Sequence, residues 1–349
     1  MTMPKISVIM PVFNAADFLE ASIGSVLTQS FQDFELICFN DASGDRSVEM
    51  LRNYELADSR VRVIDSPVNV KQGGGRNRAL AAARGHYVVF LDADDALAPD
   101  ALTHCIAAAD TEQADMIVFD YRRFSPSTGA EADVCQLGAD AAGLRGDDLR
   151  RRIALRTTPV WSAMYERRLI VDNALWFPEG VFYEDNAVAA AIQLSARNPV
   201  KINAPLYRYR FDNASVTRSV NNYRFFHRIA SAVTLLGHLK RLGLYDRFAA
   251  ELDFLFLNQY LTHTVYGCVY RFDRVPMLRH RYVCRTIGRY VTDYRRNPYY
   301  RAQPATRRLK LVAHMLAPRL IKQLSNISRC LRLKQRLCSE SRPHLNKYK

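Results

Sequence analysis

The sequence predicts an α/β protein in which a mostly parallel sheet is flanked by helices and followed by a basic, mainly helical C-terminal region. Three observations carry this. Apolar, β-branched runs alternate with helical patterns through residues 1–120, as strands joined by covering helices do. Beyond Val220 aromatic and basic residues recur at helical spacing through Tyr290. Charge is also divided along the chain. Residues 1–200 hold 19 Lys/Arg against 28 Asp/Glu, whereas residues 201–349 hold 30 against 7, so a net of −9 gives way to +23.

The expected strands are Lys5–Val12, Phe34–Asn40, Val61–Asp65, His86–Leu91 and Asp115–Phe119. Each is short, apolar and bounded by turn residues, the pattern of a strand buried on both faces. Helices are expected at Ala15–Gln29, Asp45–Ala57, Gly75–Arg84 and Pro99–Ala109, with Asn14, Ser43 and Asp45 as candidate caps. Ser125–Gly146 is rich in Ala, Gly, Ser, Thr and Asp and reads as a surface loop. Regular structure should resume at Asp147–Arg156 and Trp161–Asn173. The expected organisation is one unit over 1–218, with halves of about 1–120 and 121–218, and a helical basic extension over 219–349.

Composition narrows the function. At 48% hydrophobic and 24% charged the chain is ordinary for a globular protein. No charge-free apolar stretch reaches the ~18 residues of a spanning helix. A strand begins at Ile6 without a basic leader, which predicts a cytoplasmic address. Seven cysteines (38, 105, 135, 268, 284, 330 and 338) lack CxxC spacing and read as reduced thiols. The basic C-terminal third should face something anionic, and the acidic N-terminal half argues against nucleic acid as that partner.

One candidate surface is an amphipathic helix over about 306–338. Leu316, Leu320, Leu324, Ile327 and Leu331 recur at helical spacing among Arg319, Lys322, Arg329, Arg332, Lys334 and Arg336. Such a helix suits an anionic membrane interface, which predicts a peripheral location on the inner face of the cytoplasmic membrane. The competing reading packs the leucines on the protein. Pro318 divides this stretch from Thr306–Ala317.

The most informative motif is Asp92-Ala93-Asp94-Asp95, directly after the strand His86–Leu91. Open α/β sheets bind ligands at the carboxyl ends of their strands. Three acids so close repel unless a cation or a set of donors holds them, and a hard divalent ion with oxygen ligands suits them. The plainer alternative is a solvated acidic turn ahead of the helix near Pro99.

Ordered motifs extend this. Ser7-Val8-Ile9-Met10-Pro11-Val12-Phe13-Asn14, Leu27-Thr28-Gln29-Ser30-Phe31, Phe34-Glu35-Leu36-Ile37 and Asn40-Asp41-Ala42-Ser43-Gly44-Asp45 come first. Gly75-Arg76-Asn77-Arg78, Phe90-Leu91-Asp92-Ala93-Asp94-Asp95 and Glu184-Asp185-Asn186 follow in order. Over residues 4–218 this series resembles family 2 glycosyltransferases. The resemblance implies a GT-A-like fold and inverting transfer from a nucleotide sugar, with a UDP-sugar as the expected donor. It further implies a glycan or lipid-linked glycan acceptor, as in bacterial polysaccharide or lipopolysaccharide biosynthesis, and Mn2+ or Mg2+ as the assisting ion.

Roles follow residue by residue. Asp94 is the expected metal ligand and Asp95 its support, with Asp92 on the ribose or a metal-bound water. A metal there lowers the barrier by stabilising charge on the departing diphosphate. Asp41 accepts from the base or ribose, although its neighbour is Asn40 where many relatives carry a second aspartate. Pro11 and Phe13 form an apolar wall of the base pocket or pack the strand–helix turn. Gly73-Gly74-Gly75 precede Arg76 at an expected helix start, where phosphate binds well, so Arg76 is a diphosphate or base contact. Asp185 is the expected general base and Glu184 its partner, with a helix cap as the alternative for Asp185. Trp161 and Trp176 flank this region, with Trp176 expected in the core. Arg208, Arg210 and Arg218 are candidates for a second cation. The other function classes are a nucleotidyltransferase and a non-catalytic, membrane-docking nucleotide-sugar-binding protein.

Overall fold

A computed structural model describes residues 3–156, 158–211 and 220–328. The chain opens with β1 (Ile6–Val12), α1 (Ala16–Leu27), β2 (Phe34–Asp41), α2 (Ser47–Ala57), β3 (Val61–Ser66), α3 (Lys71–Ala82) and β4 (Tyr87–Phe90). Every residue of β1, β2 and β4 is buried, so their apolar runs are what a sheet covered on both faces demands. Ser7 of β1 and Glu35 of β2, buried polar residues near the start of these strands, are paired. Ser7 Oγ donates to Glu35 Oε1 at 2.7 Å and accepts from Gly85 N at 2.8 Å.

Next come β5 (Ala96–Leu97), α4 (Ala101–Glu112), β6 (Met116–Phe124), β7 (Glu131–Val134), α5 (Gly146–Leu155), β8 (Ala163–Glu166), α6 (Arg168–Val171), α7 (Ala189–Ser195) and β9 (Pro199–Arg210). The sheet order is β3-β2-β1-β4-β8-β6-β9-β5, with β7 on β6. Strands β1 to β4 pair in parallel, as expected of the fold class. The sheet then turns mixed: β8 runs antiparallel to both β4 and β6, and β5 antiparallel to β9. Strand β6 pairs with β9 in parallel, so parallel pairing returns beyond β8.

Three local expectations are corrected. The stretch 125–146 contains a strand, because β7 folds back antiparallel on β6, and a short 3-10 turn at Ala139–Gly143. Helix α3 starts at Lys71, four residues before the expected Gly75, and the three glycines lie inside it. They are buried for close approach: a Cβ on Gly73 would stand 2.4 Å from the Pro178 carbonyl oxygen. The helix caps also differ, since α1 has no side-chain cap. Asp45 instead accepts from Ala16 N at 3.0 Å and from Ser47 N at 3.0 Å, tying the starts of α1 and α2 together. Asn14 accepts from Gly44 N across the same junction.

The C-terminal region is helical: α8 (His227–Arg241), α9 (Ala249–Phe256), α10 (His263–Tyr270), α11 (Met277–Thr286), α12 (Pro298–Arg301) and α13 (Ala305–Leu316), then helical residues 318–328. A π-helical turn, Leu257–Thr262, joins α9 to α10. The main core runs from Ile6 to Leu255, so α8 and α9 share it with the sheet, while the later helices build a second core around Tyr260, Val265, Val283 and Leu311. Helix α13 docks through Leu311 and His314, whose Nε2 lies 2.8 Å from the Tyr270 hydroxyl. At its end Leu316 is 80% exposed, and beyond it Leu320, Leu324 and Ile327 also face solvent. Leu331, Arg329, Arg332, Lys334 and Arg336 lie outside the described residues. No described helix is long and apolar enough to cross a membrane.

Candidate active site

The parallel register places the carboxyl ends of β2, β1 and β4 side by side, with Ile9 opposite both Ile37 and Phe90. The acidic turn leaves β4 there and closes with Asp95 N donating to the Asp92 carbonyl at 3.0 Å. Its three carboxylates have different surroundings. Asp95 is 3% exposed, accepts from the Tyr207 hydroxyl at 2.8 Å and from Arg210 N at 2.7 Å, and so binds the turn to β9. Tyr207 in turn accepts from Asp92 N and stacks on Trp161 with ring centroids 4.3 Å apart. Asp94 is the exposed member of the three. Desolvation by the surrounding protein and then the charge of Asp92 raise its pKa, while Arg210 opposes the shift. Burial raises that of Asp95 further.

Arg76 joins this turn to the rest of the site. It is 2% exposed in α3, and its two terminal nitrogens donate to Asp92 Oδ1 and to Glu184 Oε1, each at 2.7 Å. Gln72, one turn earlier on the same helix, also donates to Asp92 Oδ1 at 2.8 Å. Burial works against the Arg76 charge, but Asp92, Glu184 and Asp185 together raise its pKa. One guanidinium thus serves three carboxylates. Burial accordingly raises the pKa of both Glu184 and Asp185 against the pull of Arg76.

Asp185 owes its direction to the backbone before it. Tyr183 has φ +63°, a left-handed conformation that a bulky aromatic residue rarely adopts. Such outliers cost about 1–3 kcal/mol and gather at functional sites. This kink lets consecutive carboxylates part: Glu184 turns to Arg76, while Asp185 lines a cavity of ≈ 360 Å³. Asp185 accepts from Asn186 N at 2.8 Å, and α7 begins only at Ala189, so it does not cap that helix. The cavity's other polar walls are Asn186, Arg228 of α8, Asn258 and Gln259 of the π-helical turn, His263 of α10 and Arg307 of α13. Single π-helical turns recur at functional sites.

The remaining expected residues are placed as follows. Asp41 is buried and accepts from Val70 N at 2.6 Å; Asn40 donates to Asp65 Oδ1 at 2.7 Å. Pro11 is buried against α3, 3.2 Å from where a Gly75 Cβ would stand, whereas Phe13 is 52% exposed at the rim. Trp161 is buried in the aromatic stack, but Trp176, expected in the core, is 37% exposed in the irregular segment that follows α6 and its turn. Arg208 pairs with Glu131 at 3.3 Å. Arg210 lies beside the acidic turn and donates from Nε to the Asp94 carbonyl at 2.9 Å. Arg218 lies outside the described residues. Gln72, Tyr207, Arg228, His263 and Arg307 were not expected. Tyr207 directly precedes the candidate cation Arg208 on β9, where tyrosines alternate with the half-buried Arg208 and Arg210, the one signal that pointed to it. The three cavity residues come from helices that no motif connects.

Residues 7–150 match the profile of the family described as Glycosyl transferase family 2. The chain carries a family 2 glycosyltransferase domain. Relatives agree: it is 27% identical over 264 residues to the uncharacterized glycosyltransferase YibD of Escherichia coli, covering 72% of this chain and 76% of YibD. In three dimensions it is similar to Staphylococcus aureus TarS 1–349 in complex with UDP-GlcNAc, with TM-score 0.66, 19% identity and coverage of 91% and 92%. It also resembles the mannosyltransferase PcManGT from Pyrobaculum calidifontis in complex with GDP-Man and Mn2+, with TM-score 0.50, 15% identity and coverage of 93% and 88%. The α/β fold with its curled mixed sheet is that of GT-A glycosyltransferases, and the matched domain together with these relatives makes the protein a glycosyltransferase.

Proposed function

We propose that the protein moves a sugar, with inversion, from a nucleoside diphosphate sugar to a hydroxyl of a glycan or lipid-linked glycan, and that UDP is the donor nucleotide. The observation that carries this is the Arg76 bridge, which joins the acidic turn at the sheet edge to the Glu184–Asp185 turn. The donor lies over the strand ends beside Asp41, Pro11 and Phe13, and the acceptor enters from the cavity at Asp185. Asp185 takes the acceptor's proton as the hydroxyl oxygen bonds to the anomeric carbon and the bond to the diphosphate breaks. Its raised pKa brings its basicity nearer to neutral working pH. Glu184 and Arg76 are positioning residues. A UDP donor also agrees with the UDP-GlcNAc held by the TarS fold.

The residues suit Mn2+ or Mg2+. Asp94 offers an exposed carboxylate oxygen whose repulsion with Asp92 a cation relieves. Among the described residues no group of three or more His, Cys, Asp or Glu holds a metal unaided, so Asp94, with Asp92, would share it with the diphosphate. When bound, that ion stabilises charge on the leaving diphosphate. Asp95, with both oxygens committed to β9, shapes the turn. We assign residues 1–218 to transfer and 219–349 to the acceptor and to a cytoplasmic membrane face, which the exposed leucines beyond α13 support.

Thermal-shift titration with UDP and GDP, each with and without Mn2+, tests the donor site. At a hundred times its dissociation constant UDP should stabilise the fold by about 2.7 kcal/mol. Asp94→Asn should remove the Mn2+-dependent part of that shift. A larger shift with GDP would replace the donor, and no shift with either would sink the reading.

A further inference from the structure

We propose that the cavity beside Asp185 binds a phosphate group of the acceptor, so that the reacting hydroxyl belongs to a polyol phosphate or sugar phosphate. This rests on the transferase reading for the role of Asp185, and on the cavity alone for the anion.

Among the residues that line the cavity, Asp185 is the sole carboxylate, set against Arg228, Arg307 and His263. Among the described residues neither Arg228 nor Arg307 forms an ion pair, whereas Arg247 and Arg296 of the same C-terminal region do. Arg228 is held by its faces, with its guanidinium 4.8 Å from the ring centroids of both Tyr183 and Phe225. That stacking fixes the plane and leaves hydrogen bonding to the edges. Its Nε is buried with no partner. A buried donor without a partner costs about 1–3 kcal/mol, a cost that an incoming acceptor atom removes.

The electrostatics agree. Desolvation first, then Arg228, Arg307 and Arg271, push His263 down to about 4, so the ring stays neutral and the cations are the arginines. Desolvation and Arg271 also lower the Arg228 pKa. Like charges gathered in a cavity with one carboxylate form a site that a dianion completes. Planar guanidinium groups match phosphate oxygens in pairs, which favours phosphate over a neutral sugar. The volume of ≈ 360 Å³ exceeds what a bare phosphate fills, leaving space for the unit that carries the hydroxyl to Asp185.

The test is calorimetric titration of the full chain, saturated with UDP, with glycerol 3-phosphate, glycerate and glycerol. Glycerol 3-phosphate should bind more tightly than glycerate, and glycerol should not bind. Arg307→Gln, on the solvent face of α13, should weaken glycerol 3-phosphate by about tenfold, the loss expected for a charged hydrogen bond, and leave UDP affinity unchanged. Arg228→Lys keeps the charge but loses the fork, and should also weaken it. Equal binding of glycerol and glycerol 3-phosphate, equal binding of glycerate, or unchanged affinity in Arg307→Gln would overturn the assignment. If UDP fails to bind while glycerol 3-phosphate binds and Arg307→Gln weakens it, the cavity assignment stands and the transferase reading falls.

Discussion

The two sides of the Arg76 bridge are built in different ways. On the donor side Asp92, Asp94 and Asp95 occupy one turn, with Asp92 held by α3 and Asp95 by β9 closing over it. On the acceptor side Asp185 meets Arg228, His263 and Arg307, carried by three helices that are distant in sequence. The first is local chemistry placed by a sheet edge. The second is chemistry assembled by packing. Perturbing one side should leave the other working, and the following experiments test that separation.

The largest effect belongs to Asp185→Asn. Loss of a general base costs about 10²–10⁴-fold in rate, while UDP binding, which lies across the bridge, should persist. Transfer at a near wild-type rate would remove Asp185 from the mechanism. The wild-type pH profile sharpens the assignment. Burial raises the Asp185 pKa, with Arg76 opposing and Asp92 adding to the shift; Glu184 and Arg228 also face this group. The deprotonated form is active, so the rate should climb as pH rises through this pKa and then level. The shoulder should lie above the ordinary aspartate value of about 3.9. A plateau extending below that value would contradict the buried environment.

Arg76→Met attacks the bridge itself. It leaves Glu184 buried and Asp92 half-buried without their cation, and breaking a buried pair costs about 3–5 kcal/mol. Chemical denaturation measures this. The penalty should shrink as pH falls, because protonated Glu184 needs no counter-charge. A loss below about 1 kcal/mol would place the pair among the weakly coupled surface bridges.

Gly73→Ala acts on the same junction sterically. Its Cβ would stand 2.4 Å from the Pro178 carbonyl, which is backbone and cannot rotate away. Overpacking of this kind costs about 1–3 kcal/mol. The strain falls on the segment leading to Tyr183 and Asp185, so transfer should drop more than UDP binding does.

These contrasts explain what was legible in the sequence. Strands β1 to β4 and the acidic turn could be read because they depend on short-range patterns: apolar runs, turn residues and carboxylates at a strand end. The start of α3 was misread because glycine signals a loop locally, whereas Gly73 is a contact with Pro178 that lies a hundred residues away. Arg76 was expected to face a diphosphate, and its burial between Asp92 and Glu184 is again a long-range fact. Trp176 failed for the opposite reason, since size alone suggested burial and an irregular surface segment decided otherwise. The cavity of Arg228, His263 and Arg307 had no linear trace beyond an excess of positive charge.

The smallest effect tests the chain's other basic surface. Leu316, Leu320, Leu324 and Ile327 are exposed, with Arg319 exposed and Lys322 half-buried among them. An apolar stripe edged by cations matches an anionic membrane surface, where each Lys or Arg contributes about 1 kcal/mol. Arg319→Ala should therefore weaken partition onto phosphatidylglycerol vesicles by about fivefold in co-sedimentation, the ratio that this energy implies. Neutral phosphatidylcholine vesicles should not distinguish the two proteins, because the leucines are unchanged. Arg319 does not line the Asp185 cavity, so transfer to a small soluble acceptor should be preserved. If Arg319→Ala instead lowers that transfer and leaves vesicle binding intact, the helix serves the acceptor site, and the separation between docking and chemistry fails at its weakest point.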